Sequence, residues 1–228
     1  MGETLKFFGV NKKMISEKPS VDKTPRVQLW NDVHKAQRSV SERIHAALLY
    51  GRALINLPTG RQTFDFDCGP KALQLVMAYY GFDIREDKLL RELKTDSNGT
   101  TVENLVSYAR KNGFGVFAEC GVLLERVKEF LDAGRPVIVL VQAWATKHMT
   151  LEEWGKDYDD GHYVVLIGYH DDIFIFQDPS SFKRTWMTEP EFLARWHDLC
   201  PKTWKKYDQF AMTFFGKAPE NKAFEHMD

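Results

Sequence analysis

The sequence predicts an α+β fold in which the N-terminus of one helix packs against an antiparallel sheet. Three observations lead there. Cys68-Gly69-Pro70 opens an apolar-periodic run that stops at Gly81; two β-branched and aromatic runs, 161–169 and 173–177, flank a turn; helical and strand patterns alternate between these two regions.

Taken in order, residues 1–59 form an N-terminal arm and helical extension. Residues 1–25 are polar and lysine-rich, with Pro19 and Pro25, and read as a loosely packed lead-in. From Val27 to Leu57, Leu29, Trp30, Val33, Val40, Ile44, Ala47, Leu48 and Leu54 recur among charges as on a helix packed on the outside of the body. The main domain is expected over 60–216, followed by a polar tail over 217–228.

Within that domain the first helix is bounded at both ends. Pro70 suits the first helical position, where its missing N–H would have no intrahelical partner, and Gly81 can take the left-handed conformation that ends a helix. Apolar residues at 72, 73, 76, 77 and 80 follow the spacing of one buried face. Thr100-Thr101-Val102-Glu103 has the pattern of a capping box opening a helix that runs to Asn112-Gly113, and 123–131 is a further helix before Ala133-Gly134. Pro136 introduces a strand over 137–141, the turn His170-Asp171-Asp172 joins the two runs of a hairpin, and 210–215 adds a last strand.

The segment from Ala143 to Asp160 lies between the 137–141 strand and the hairpin, and must emerge beside whatever the hairpin's start carries. It mixes Trp144, Met149, Leu151 and Trp154 with Glu152, Glu153, Asp157, Asp159 and Asp160. Two readings stand: a wall over a substrate groove whose carboxylates favour basic or amine-bearing substrates, or a surface excursion anchored by its tryptophans.

The chemistry is read from four residues. Cys68 falls in the first turn of a helix, facing unpaired N–H groups and the positive end of the helix dipole, which favour the nucleophilic thiolate. His162 stands at the start of one hairpin strand and Asp178 just past the end of the other, so the two are expected as cross-strand neighbours, a base and the carboxylate that orients it. Gln62, six positions before Cys68, offers a side-chain amide that can join the Cys68 backbone N–H in stabilising an oxyanion. Cys120 and Cys200 lack such surroundings and read as structural.

Gln62 to Cys68 with Gly69-Pro70, a helix ending Tyr79-Tyr80-Gly81, Gly161-His162-Tyr163-Val164-Val165 and Asp178-Pro179 together resemble the papain-like bacteriocin-processing peptidase family and its stand-alone relatives. The resemblance continues through Arg135-Pro136-Val137-Ile138-Val139-Leu140 and Glu191-Phe192-Leu193-Ala194-Arg195-Trp196, covering about residues 60 to 200. It implies a papain-like fold and a cysteine peptidase with Cys68 as nucleophile, His162 as general base, Asp178 as its orienter and Gln62 in the oxyanion hole. Acyl transfer to an amine or thiol, or peptide binding without catalysis, are the alternatives that the same fold leaves open. Transporter-linked members cut after paired glycines, but this sequence carries neither a membrane-spanning run nor a P-loop, which points to the stand-alone branch.

Composition bounds the partners. A net charge of −1 over 228 residues, with no basic stripe, argues against nucleic acid and against an anionic membrane surface, and leaves a peptide or protein as the expected substrate. Cysteines at 68, 120 and 200 form neither a zinc pattern nor an even disulfide set, and the first residues lack a secretory signal, so a reducing, cytoplasmic setting is expected with no metal and no cofactor.

Overall fold

Alternating runs of buried helix and strand have to be covered on both sides of a sheet, and that is how the chain folds. In a computed structural model, residues 54–145 and 148–220 are described. The expected helix over 27–57 lies outside them up to residue 53, as does the tail from 221. Among the described residues no helix is long and apolar enough to cross a membrane.

The helices are α1 (Cys68–Tyr79), α2 (Glu86–Glu92), α3 (Val102–Lys111), α4 (Leu124–Asp132), the single turn α5 (Leu151–Trp154) and α6 (Glu189–Arg195). The strands are β1 (Gly115–Glu119), β2 (Val137–Gln142), β3 (Gly161–His170), β4 (Ile173–Gln177), β5 (Thr185–Thr188) and β6 (Ala211–Phe215). They form one antiparallel sheet in the order β1-β6-β2-β3-β4-β5. β6 thus enters between β1 and β2.

Strand alternation assigns the two faces. Tyr163, Met212 and Phe214 point toward α1, where Tyr80 meets Phe214 and the Tyr163 ring lies against Gly69. Phe117, Phe174 and Phe176 point the other way, toward Phe130 of α4 and Phe192 of α6. On α1, Ala72, Leu73, Val76 and Met77 are fully buried, the face that the spacing predicted.

Two helix starts differ from expectation. α1 begins at Cys68 itself, so Pro70 occupies the third position rather than the first; an N–H there also has no intrahelical acceptor, so nothing is lost. The cap of α3 is Thr101, which accepts from Asn104 N at 3.3 Å, not a Thr100/Glu103 box. Both expected partners are engaged elsewhere: Thr100 shares a hydroxyl bond with Thr95 and accepts from Tyr163, while Glu103 binds Lys205 and Tyr207. A true capping box instead opens α5, between Thr150 and Glu153.

The chain also joins the sheet before residue 60. Ile55 and Leu57 are buried, and Ile55 N donates to Ile167 O at 2.8 Å.

Candidate active site

The loop before α1 is shaped by one buried carboxylate. Asp67, fully buried, accepts from Thr63 N and Phe64 N, folding residues 63–67 back on themselves and delivering Cys68 at the helix start. Burial, then the hydrogen bond to Glu86, raises the Asp67 pKa; burial also opposes ionisation of Glu86, but its bonds to Lys71 and Asp67 outweigh that and hold it below the ordinary carboxylate value. The two carboxyls are thus pushed in opposite directions, and the one favoured as a carboxylate, Glu86, is paired with Lys71 of α1.

Gln62 sits in the same loop. Its backbone N donates to Pro179 O at 2.7 Å, tying this loop to the one that carries Asp178, and its side-chain Nε2 donates to Phe64 O at 2.8 Å. One amide hydrogen is thus engaged and the other is left over, while Oε1 is buried without a partner.

His162 and Asp178 meet: Nε2 of the imidazole lies 2.8 Å from Oδ1. Their route to each other differs from the simple hairpin expected. The turn at Asp171 and Asp172 sets the register His170↔Ile173, Tyr169↔Phe174, Gly168↔Ile175. Continued without interruption, that register would place Asp178 opposite Val165, on the face away from His162. A bulge at Ile167 shifts the pairing to Leu166↔Phe176 and Val165↔Gln177, which carries Asp178 to the His162 side of the sheet. The two are diagonal neighbours beyond the end of β4, not residues directly opposed. Asp178 Oδ1 also accepts from Ser180 N and Ser180 Oγ, both at 2.8 Å, so the carboxylate is fixed from the loop side as well.

The electrostatics of the pair follow from burial and partners. His162 is 1% exposed, which disfavours its charged form, but the hydrogen bond to Asp178, the nearby Cys68 sulfur and the Asp178 charge outweigh this and raise the pKa to about 9. Asp178 shows the mirror image: burial opposes ionisation, and His162 and Ser180 overcome it to hold the carboxyl below its ordinary value. With Nε2 taken by Asp178, Nδ1 is buried and unpaired in this arrangement. Cys68 is near enough to raise the imidazole pKa, and Nδ1 is the ring nitrogen without another partner.

Four further residues belong to this neighbourhood. Ser180 could have been found in Asp178-Pro179-Ser180, a pattern that favours a side-chain turn onto the following N–H. Asp67, directly before the cysteine, carried a capping signal. Trp144, 47% exposed, places its ring centroid 4.3 Å from that of His162. Asp198, whose carboxylate fills the space a Gly161 side chain would need, accepts from Gln142 Nε2 and has its pKa raised by burial. Trp144 belongs to the segment expected beside the site, whereas no local pattern marked Asp198.

Two grooves open around the loop that leads into α1, and Asp65 lines both. One of about 360 Å³ is lined by Cys68 itself with Asn98, Tyr158, Gly161, Tyr163 and Asp198; one of about 610 Å³ runs past Arg61, Gln62, Phe64, Trp144 and Ser180. The segment over 143–160 closes on itself, Ala143 N donating to Asp160 O at 2.9 Å, with Trp154 buried under Arg195 and Trp144 at the site. Cys200 is buried, as a structural residue would be. Cys120 is a free, exposed cysteine after the end of β1, unlike the structural residue expected.

Residues 56–206 match the model of the peptidase C39 family. Among solved structures, the chain resembles the peptidase domain of Streptococcus ComA, a bifunctional ABC transporter involved in a quorum-sensing pathway, with 26% identity and a TM-score of 0.52 over 73% of this chain and 99% of that one. It is similar in fold to a putative C39-like peptidase from Bacillus anthracis, with 17% identity and a TM-score of 0.53 over 73% and 100% of the two chains. A double-glycine-motif protease from an AMS/PCAT transporter, solved in complex with the leader peptide, shares 18% identity and a TM-score of 0.50 over 72% and 94%. No curated protein matches the chain.

Proposed function

Because the chain belongs to the peptidase C39 family and is a cysteine-type peptidase of the papain-like kind, we propose that it hydrolyses peptide bonds with Cys68 as nucleophile, His162 as general base and acid, Asp178 as orienting carboxylate and Gln62 as oxyanion donor. The observation that carries this reading is the buried His162 held at 2.8 Å by Asp178 while its other nitrogen remains for the thiol at the start of α1.

The steps follow from that arrangement. Sulfur bonds to the carbonyl carbon and the carbonyl oxygen takes the negative charge, facing the Cys68 backbone N–H and the spare Gln62 amide hydrogen. The imidazolium gives its proton to the amine as the carbon–nitrogen bond breaks. A water then loses a proton to His162 as it attacks the acyl-enzyme, and thiolate and imidazolium are restored. Throughout, Asp178 balances the charge on a ring that burial alone would keep neutral. That one relative was solved with a leader peptide bound supports an extended peptide segment as the substrate. The groove lined by Cys68 and the one lined by Gln62 offer room for residues flanking a scissile bond.

The reading is tested by exposing the folded protein to a cysteine-directed activity probe and locating the adduct by mass spectrometry. Cys68 is expected to carry it. Preferential labelling of Cys120 or Cys200 at neutral pH would overturn the assignment.

A further inference from the structure

Trp144 is an unusual residue for its position. It lies two residues past the end of β2, where the backbone turns with φ +56°, a left-handed conformation that glycine or asparagine adopts at far lower cost. A large indole is held there half in solvent, at 47% exposure. Neither backbone nor hydrophobic burial accounts for a tryptophan at this point. Its contact does: the indole and the His162 imidazole stand with centroids 4.3 Å apart and planes at 52°.

His162 begins at the second residue of β3, on the rim of the sheet, yet it is 1% exposed. Val141 opposes it in the strand ladder, and the indole lies against its ring. We propose that Trp144 is a positioning residue that seals the His162–Asp178 pair from water and holds the imidazole where Nε2 meets Asp178 and Nδ1 remains for Cys68. This rests on the reading of His162 as the base. Trp144 also lines the groove that contains Gln62, so one residue borders both the base and the space beside it.

The physical effect has a definite sign. The titratable groups facing His162 are Cys68 from α1, Asp178 from the loop after β4 and Asp198 from the segment after α6. Burial lowers the imidazole pKa and the partners raise it, with the partners ahead, at about 9 against an ordinary 6.5. Water admitted to the ring weakens both influences, and because the partners together are ahead, scaling both down in proportion shrinks the net upward displacement. Losing the indole face also removes its attraction for a cation. Both changes move the midpoint downward.

The test uses Trp144→Gly, which relieves the left-handed backbone, and Trp144→Phe, which keeps a ring. His162 is titrated by NMR with ¹⁵N-labelled imidazole, and the rate of Cys68 alkylation by iodoacetamide is measured at pH 7. The glycine variant is expected to melt no lower than wild type, to titrate at least roughly one pH unit lower, and to alkylate about tenfold more slowly. Phenylalanine should restore most of both. A glycine variant that titrates and alkylates like wild type overturns the proposal, and so does phenylalanine falling as far as glycine. If glycine does not fold, Trp144→Asn, which tolerates the same backbone, replaces it; failure of both to fold marks the residue as purely structural and overturns the proposal. If Cys68 does not label even in wild type, the assignment of the nucleophile fails, while the His162 midpoint still decides the role of Trp144.

Discussion

Replacing Asp178 with asparagine isolates the charge at the heart of the site. Oδ1 accepts from His162 Nε2, Ser180 N and Ser180 Oγ together, so an amide oxygen is obliged to stay where the carboxylate oxygen was, and the geometry is retained while the charge is lost. Burial alone would push the His162 pKa down; Asp178 is the first of the influences that reverse it, to about 9. Taking the ordinary 6.5 as the end point, the loss is about 2.5 pKa units, or about 3 kcal/mol of preference for imidazolium. At pH 7.5 the protonated fraction then drops from about 97% to about 9%. Turnover of any peptide cut by wild type should fall by about 10²- to 10⁴-fold. A linked effect appears in stability: the raised pKa contributes fully below pH 6.5 and is lost as pH rises through about 9, so wild type should lose denaturant resistance across that window and Asp178→Asn should not. ¹⁵N-imidazole titration, urea melts from pH 6 to 9.5 and peptide turnover supply the three readouts. A variant that still titrates near 9 and turns over within threefold of wild type would refute the reasoning.

Cys68→Ala should abolish turnover with the melting transition unchanged; and in wild type, mass spectrometry should find Cys68 alkylated ahead of the more exposed Cys120, whose thiol pKa is pushed up chiefly by burial. Gln62→Ala should lower kcat by about 10²- to 10³-fold with little change in KM, as steady-state kinetics on one peptide will show. At Gly69, an added Cβ would stand 3.0 Å from Tyr163 Cδ2 in a fully packed contact, so Gly69→Ala should destabilise the fold by about 1–3 kcal/mol in urea and slow Cys68 labelling by shifting the helix start.

Where the sequence could be read and where it could not has a physical boundary. The run 72–80 behind Cys68 and the two hairpin strands were legible because their spacing records local burial, which is what alternation and helical periodicity measure. Thr100 and Thr101 look equivalent along the chain; the Thr100 hydroxyl is taken by Thr95 and its carbonyl by Tyr163, far downstream, which leaves Thr101 to cap α3. β6 slides between β1 and β2, pairing Ile138 with Met212, and no local pattern specifies that choice of partner. At the site, Cys68, His162, Asp178 and Gln62 each stood in a readable local setting. Trp144 and Asp198 reach His162 and Gly161 only through tertiary closure, the first because Ala143 and Asp160 bond across their segment. For Trp144 the sequence showed the segment but not the contact with His162, and for Asp198 it showed neither.

The bulge at Ile167 imposes a counting rule on this hairpin. Because side chains alternate, inserting or deleting one residue between His162 and Asp178 exchanges the faces of everything beyond it, whereas a change of two leaves the faces as they were. Lineages that lengthen or shorten the hairpin should therefore do so in pairs, or gain or lose the bulge in the same step. A search for related sequences that penalises gaps only by length would treat both classes alike. One that scores odd and even gaps separately in this interval would distinguish chains able to keep the histidine and aspartate together from chains that have parted them.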